Sequence, residues 1–256
     1  VGINLNNLSG LKNGKTTITN SRAFSLMKAI FLELPCSKEA LRSLVEETVQ
    51  KNSEVQGELT VQIIISGGEA DSSGFCPSGP ALVYIIVSSF KKSSPDWYTQ
   101  GVSIATYPFQ RPYAEIKFLN YVGAVYAHHT VVKEKGAQLA LFVEPQTQEI
   151  LEGTTFNFFA VKKGVLVTPP LDGKILAGIT RSQVLACAKA NGIPCEERAI
   201  PLSELGEIQE CFILSSLRDI VPVRKIDDRE FAVGNEGSVV MKVAALFSEY
   251  QVQNMG

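Results

Sequence analysis

Two prolines in five residues, in the stretch Pro108-Phe109-Gln110-Arg111-Pro112, divide this chain. Proline fixes φ and removes a backbone donor, so neither a helix nor an internal strand continues through such a segment. The hydrophobic pattern changes across it. Before it, Thr19 and Asn20 stand where they cap a helix over 21–34, with Phe24, Met27, Ile30, Phe31 and Leu34 at helical spacing and Pro35 as the stop. Ser37 predicts the cap of a second helix reaching about Lys51. Runs rich in Val and Ile at 59–66 and 81–88 read as buried strands, with a Gly-, Ser- and Asp-rich loop over 67–80 between them. Another strand is expected at 101–107, and Asn13-Gly14 is a hairpin signal.

After the prolines the pattern becomes strand–helix–strand. A helix over 120–135 precedes strands at 138–143 and 157–161. A second helix over 180–191 stops at Gly192. Strands follow at 211–214 and 220–225, and a helix over 239–250 closes the chain. The fold class is therefore α/β (α+β), in two domains: a smaller N-terminal α/β domain over 1–109 and a larger C-terminal domain over 110–256.

With 256 residues, 45% of them hydrophobic, and a formal charge of -2, the chain can build one large or two modest cores. The near-neutral balance lacks the basic stripe that a nucleic-acid surface needs. Short charge blocks such as Lys162-Lys163 read as solvated faces. The five cysteines are odd in number, scattered and without Cys-x-x-Cys spacing. Neither a disulfide framework nor a zinc site is expected, and a reducing compartment, cytoplasmic or organellar, fits better than secretion. No apolar run approaches the ~18 residues of a membrane span, and no signal peptide is visible. The start at Val1 leaves room for an upstream targeting or domain segment. The two histidines, adjacent at 128 and 129, support neither a metal site nor a Ser/His/Asp triad and read as structural.

Four short segments carry candidate chemistry. Tyr113-Ala114-Glu115-Ile116-Lys117 reads as a short strand ending in a lysine with apolar neighbours. Most lysines are solvated surface charges. In an apolar setting, however, a free ammonium is costly, and burial frees the nucleophilic amine for a Schiff base with an aldehyde cofactor. Glu152 lies in an otherwise uncharged stretch, 150–160. It reads equally as a turn residue before Gly153 and as the acid that pairs with a pyridinium nitrogen. Asn157 either orients that region or is a plain polar strand residue. Gly178-Ile179-Thr180 precedes a helix with Thr180 as its expected N-cap, which is an ordinary start or an anion cradle. Ser215-Ser216 follows a strand and adds hydroxyl donors. Arg22 at the start of the first helix is a surface cation or a charged partner for phosphate.

From about Arg111 to Val223 these segments together resemble the class IV aminotransferases of fold-type IV, which depend on pyridoxal phosphate. The stretch Val167-Thr168-Pro169-Pro170-Leu171-Asp172-Gly173-Lys174-Ile175-Leu176-Ala177-Gly178-Ile179-Thr180-Arg181 is similar to the branched-chain members. Ser215-Ser216 with Ile220-Val221-Pro222-Val223 is closer to the D-amino acid members. The resemblance implies a two-domain D-amino acid aminotransferase-like fold, a homodimer, and transamination between an amino acid, preferably branched-chain-like, and a 2-oxo acid. It assigns the Schiff base to Lys117, the pyridine nitrogen to Glu152, the phosphate to Ile179, Thr180, Ser216 and Arg22, and the cofactor's phenolic oxygen to Tyr121, with Ser215 beside Ser216 as a further donor from the residues themselves.

The chain also departs from the family. Phe118 stands where a small residue is usual. Asn6 stands where the first strand carries a pocket aromatic, and no basic carboxylate trap is evident over 91–97. Two alternatives follow: a lyase of the same fold acting on 4-amino-4-deoxychorismate, and a cofactor-binding domain without catalysis.

Overall fold

A computed structural model describes residues 2–6 and 30–254. The chain forms two compact units. One contains 1–91 and returns at 116–120, and the other contains 92–115 and 121–254.

In the first unit, β1 (Gly2–Asn6), β2 (Leu59–Ser66) and β3 (Leu82–Ser89) form an antiparallel sheet in chain order. Helix α1 (Lys38–Lys51) starts as expected. Ser37 is extended, and its hydroxyl accepts the Ala40 N–H at 3.2 Å. Leu41 and Val45 of α1 are fully buried against Val61, Ile63 and Ile65 of β2. Each such side chain contributes about 1.5–3 kcal/mol. Strand β3 was expected to be buried, but only one of its faces is covered. Val83, Ile85 and Val87 pack on this core, while Leu82, Tyr84 and Ile86 remain about half exposed. Side chains alternate along a strand, so a continuous apolar run reveals neither which face is covered nor whether both are. The hairpin at Asn13-Gly14 and the helix over 21–29 fall outside the described residues. At Ile30 and Phe31 the chain is a turn, with Phe31 at φ 59°, so a helix does not extend to Leu34.

The second unit is built on β4 (Val102–Pro108), β5 (Leu139–Val143), β6 (Ile150–Gly153), β7 (Asn157–Lys162), β8 (Val165–Thr168), β9 (Cys195–Glu197), β10 (Glu210–Ser215), β11 (Asp219–Ile226) and the short β12 (Arg229–Glu230). Their order is β6-β5-β4-β11-β10-β7-β8-β9, with β12 alongside β11. The β4–β5, β4–β11 and β8–β9 pairs are parallel and the others antiparallel. Strand β4 precedes the expected break at 109/110, yet its ladder partners, β5 and β11, both lie in the second unit.

Helix α2 (Asp96–Thr99) is a single turn. Helix α3 (Val122–Ala127) runs through a π-helical turn (His128–Val132) into α4 (Lys133–Lys135), which ends at Gly136 with φ 64°. Helices α5 (Ile179–Ala190) and α6 (Val239–Asn254) cover one sheet face. There Phe159 and Phe212 stack at 4.9 Å, packed with Val184, Leu185 and Phe247. Phe158, Ile213 and Val221 point into the core on the opposite face. Because β7 and β10 are buried on both faces, they carry almost unbroken apolar runs, and both were legible as strands.

Candidate active site

Glu152 is the third residue of β6 and is 5% exposed. A carboxylate so deeply placed needs partners for its charge. Arg111 supplies them on one oxygen: its Nε and Nη2 donate to Oε1 at 2.8 Å and 2.6 Å. Nη2 also donates to the Ala114 carbonyl at 2.6 Å. The other oxygen, Oε2, accepts the Leu176 N–H at 3.0 Å.

The run 113–117, expected as a strand, is instead a turn and bend. Pro112 opens it, Tyr113 adopts φ 51°, and the Arg111 side chain closes it through Ala114. Lys117 follows in the first unit and is half-buried. Its neighbours Ile116 and Phe118 belong to that unit's core, and a tight bend brings the Phe118 N–H to the Ile116 carbonyl at 3.0 Å.

Asn157, also 5% exposed, opens β7, and its Nδ2 donates to the Leu176 carbonyl at 2.9 Å. Both polar groups of the Leu176 backbone are thus fixed, one by Glu152 and one by Asn157. Two residues later Gly178, at φ -61° and ψ 137°, takes the N-cap position of α5. A Cβ there would lie 1.9 Å from Asn157 Oδ1, so only glycine fits without displacing that side chain.

Thr180 is not the cap that its sequence position suggested. It lies inside the first turn, buried, and its Oγ1 donates to Ser216 Oγ at 3.3 Å. The chain reaches the helix in the extended Gly178 conformation, which moves the cap two residues upstream. Among the described residues no side chain caps the helix, so its first N–H groups and positive dipole end suit an anion. Arg181, 2% exposed, anchors the same turn, with Nη2 donating to the Pro169 carbonyl at 2.8 Å and to Glu197 at 2.9 Å.

Ser215 ends β10, and its carbonyl accepts the Arg218 N–H at 3.1 Å, closing the hairpin that presents Ser216. Tyr121 stands at the N-terminus of α3 and lines a cavity of about 270 Å³ with His128, His129, Thr154 and Thr155. The two histidines, expected to be only structural, are therefore part of a cavity wall. Thr154 and Thr155 follow Glu152 by two and three residues.

The second unit thus joins Glu152, Asn157, Ile179, Thr180, Ser215 and Ser216 into one constellation, with Tyr121 on the adjoining cavity. Lys117 is carried by the first unit, and Arg22 lies outside the described residues. Arg111 was not anticipated as a partner of Glu152. The available signal was its position as the one charged residue of the Pro108–Pro112 connector. An acid and an anion cradle joined by a single peptide segment suit a ligand with a basic ring nitrogen at one end and a phosphate at the other. Pyridoxal phosphate meets that description.

Comparison with known proteins agrees. A family model described as amino-transferase class IV matches residues 22–226. A D-alanine aminotransferase from Listeria monocytogenes serotype 4b (strain F2365) is 31% identical over 252 residues, 96% of this chain and 86% of the relative. The crystal structure of a branched-chain aminotransferase from Thermoproteus uzoniensis with norvaline has a TM-score of 0.83 at 25% identity, covering 97% of this chain and 84% of that one. A putative 4-amino-4-deoxychorismate lyase from Legionella pneumophila has a TM-score of 0.84 at 20% identity, covering 97% and 90%, which is a likeness of fold.

Proposed function

The chain belongs to the class IV aminotransferases, enzymes that use pyridoxal phosphate and share this α/β fold, and from that premise we propose that it exchanges an amino group between a branched-chain-like amino acid and a 2-oxo acid. The observation that carries this reading is the Leu176 link. Glu152 and Asn157 hold the two backbone polar groups of one residue, coupling an acid to the helix start that would take a phosphate.

In this reading Lys117 Nζ would hold the cofactor's aldehyde carbon. Glu152 would face the ring nitrogen and keep it protonated. The Ile179 N–H, the Thr180, Ser215 and Ser216 hydroxyls and Arg22 would take the phosphate, and Tyr121 the phenolic oxygen. When bound, the cofactor supplies an electron sink for the negative charge that develops at the substrate Cα. Lys117, displaced by the incoming amine, would take the Cα proton and deliver it to the cofactor's C4′ carbon. Arg111 would keep Glu152 aimed, and Asn157 would keep the phosphate turn in register with it. Homodimers are typical of the family, and we propose one here. Among the described residues no helix is long and apolar enough to cross a membrane.

The preference for a branched-chain-like donor rests on the likeness of 167–181 to branched-chain members, and the D-alanine relative makes chirality the point to test. The test is a spectral titration of the purified holoprotein with a panel of L- and D-amino acids. A visible band lost in Lys117→Ala, and converted by an L-branched-chain amino acid alone at the lowest concentration, is the expected result. Conversion by D-alanine at the lowest concentration would replace the donor assignment. A normal band that no amino acid converts would end the transaminase reading; release of pyruvate from aminodeoxychorismate would then identify the lyase, and its absence a non-catalytic domain.

A further inference from the structure

Among the described residues, every arginine of the second unit that is not exposed has a carboxylate partner, with one exception. Arg111 pairs with Glu152, Arg181 with Glu197, and Arg198 with Glu196 and Glu204. Arg218 has none among the described residues. Its guanidinium stands 5.8 Å from the centre of the Trp97 ring, and its Nη1 donates to Thr155 Oγ1 at 2.9 Å. The adjacent acid, Asp219, accepts from Gln251 Nε2 at 2.9 Å instead. Burial lowers the Arg218 pKa from its ordinary value, opposed by Tyr98, so the cation has lost solvation without gaining an acid. None of its unpartnered nitrogens is sealed from solvent. A guanidinium offers five donors in a planar fork, and among the described residues one is used. The Trp97 face and the Thr155 hydroxyl hold the plane, and the other nitrogens of the fork are not sealed from solvent.

The placement matters as much as the missing acid. Arg218 lies two residues after Ser216 in the β10–β11 hairpin. Thr155, which it grips, lies three residues after Glu152 and lines the cavity shared with Tyr121. We propose that Arg218 binds a carboxylate of the amino acid or 2-oxo acid substrate. The assignment rests on the transaminase reading above and deepens it by naming a substrate-binding residue. The bound group is either the α-carboxylate common to all such substrates or a side-chain carboxylate of an acidic one. Bidentate recognition by a pre-oriented fork serves both.

The experiment compares wild-type holoprotein, Arg218→Gln and Arg218→Lys, each titrated with L-valine, D-alanine, L-glutamate and isobutylamine, the last being valine without its carboxylate. The reading is the concentration for half-conversion of the visible band. Arg218→Gln should raise it about 10- to 100-fold for amino acids, as expected on losing a charge-assisted contact, and leave isobutylamine unchanged. Arg218→Lys should fall between, and it carries the same comparison should the glutamine variant not fold. Equal losses for valine and glutamate assign the α-carboxylate, and a loss confined to glutamate assigns the side chain. Unchanged values for every amino acid, or the same loss for isobutylamine, would overturn the proposal and leave Arg218 as a clamp on Trp97 and Thr155. A wild-type protein with no visible band would overturn the cofactor reading and this assignment together.

Discussion

Arg111 and Glu152 meet at one oxygen: two N–H groups of Arg111 converge on Oε1 at 2.8 Å and 2.6 Å, while Oε2 accepts the Leu176 amide at 3.0 Å. The division of labour has consequences. One side of the carboxylate is tied to the connector between the two prolines, and the other to the segment leading into α5. The acid's position is thus set by parts of the chain 41 residues before it and 24 after it.

Arg111→Met would leave Glu152 buried beside an apolar side chain. Breaking a pair this deeply placed costs about 3 kcal/mol. A melting temperature lower by several degrees and weaker cofactor binding in a spectral titration are expected. Adding Glu152→Gln should recover part of the stability but not the cofactor affinity, because the acid that would face the ring nitrogen is gone. Recovery of both in the double variant would show that Glu152 has only a structural task.

Lys117→Ala should abolish the visible band and reduce turnover about 10²- to 10⁴-fold, the range for loss of a proton-transferring group. Its melting temperature without cofactor should stay near wild type, since Lys117 is only half-buried. Absorbance and steady-state assays read the two effects separately.

Gly178→Ala places a methyl group 1.9 Å from Asn157 Oδ1. The Asn157 side chain must then move, and the turn before α5 moves with it. Cofactor affinity should fall about tenfold or more, in line with losing a hydrogen bond to a charged group. Gly178→Ala with Asn157→Ala removes the clash, and a titration should show less loss than the sum of the two single variants.

Thr180→Val with Ser216→Ala removes two hydroxyls that lie 3.3 Å apart, one a donor to the other. If both serve a phosphate, affinity for pyridoxal phosphate should fall about 10- to 100-fold while affinity for pyridoxal, which lacks the phosphate, stays the same. Equal losses for the two ligands would place the phosphate elsewhere.

Glu204 supplies a pH dependence away from the site. Hydrogen bonds from Arg198 and from Lys162, working against desolvation, hold its carboxyl down to about 2 in the fold. The unfolded chain binds that proton near the ordinary carboxylate value, so this stabilisation is present above about pH 4.5 and is lost as pH falls toward 2. Solvent screening limits it to about 1 kcal/mol. Glu204→Gln should lower stability near neutral pH and flatten this part of the acid limb in urea melts recorded from pH 5 to 2.5.

Element types were legible where periodicity is strong. The helix from Ser37 to Lys51, the strands at 59–66 and 157–161 and the closing helix follow from local spacing and caps. The reading failed where a distant partner decides the backbone. Tyr113 to Lys117 alternates like a strand, but Arg111 bonding to Ala114 and the left-handed Tyr113 make it a turn. Thr180 has the chemistry of a cap, yet Asn157 holds the preceding segment so that Gly178 takes that place. Strands β6, β8 and β9, three or four residues each, are too short to show a period.

By itself the sequence determined the order of the chemical segments, and with it the class IV family: a lysine, an acid, a Gly-Ile-Thr helix start and a serine pair at separations a fold can use. Only the tertiary structure decided which groups meet. It brought Arg111 to Glu152, joined Glu152 and Asn157 through one residue's backbone, and left Arg218 beside Trp97 and Thr155 without an acid among the described residues. Local pattern encodes what each segment can form. Contacts between residues 19 or more positions apart leave no mark on that pattern, and here they set the charges and the orientation of the site.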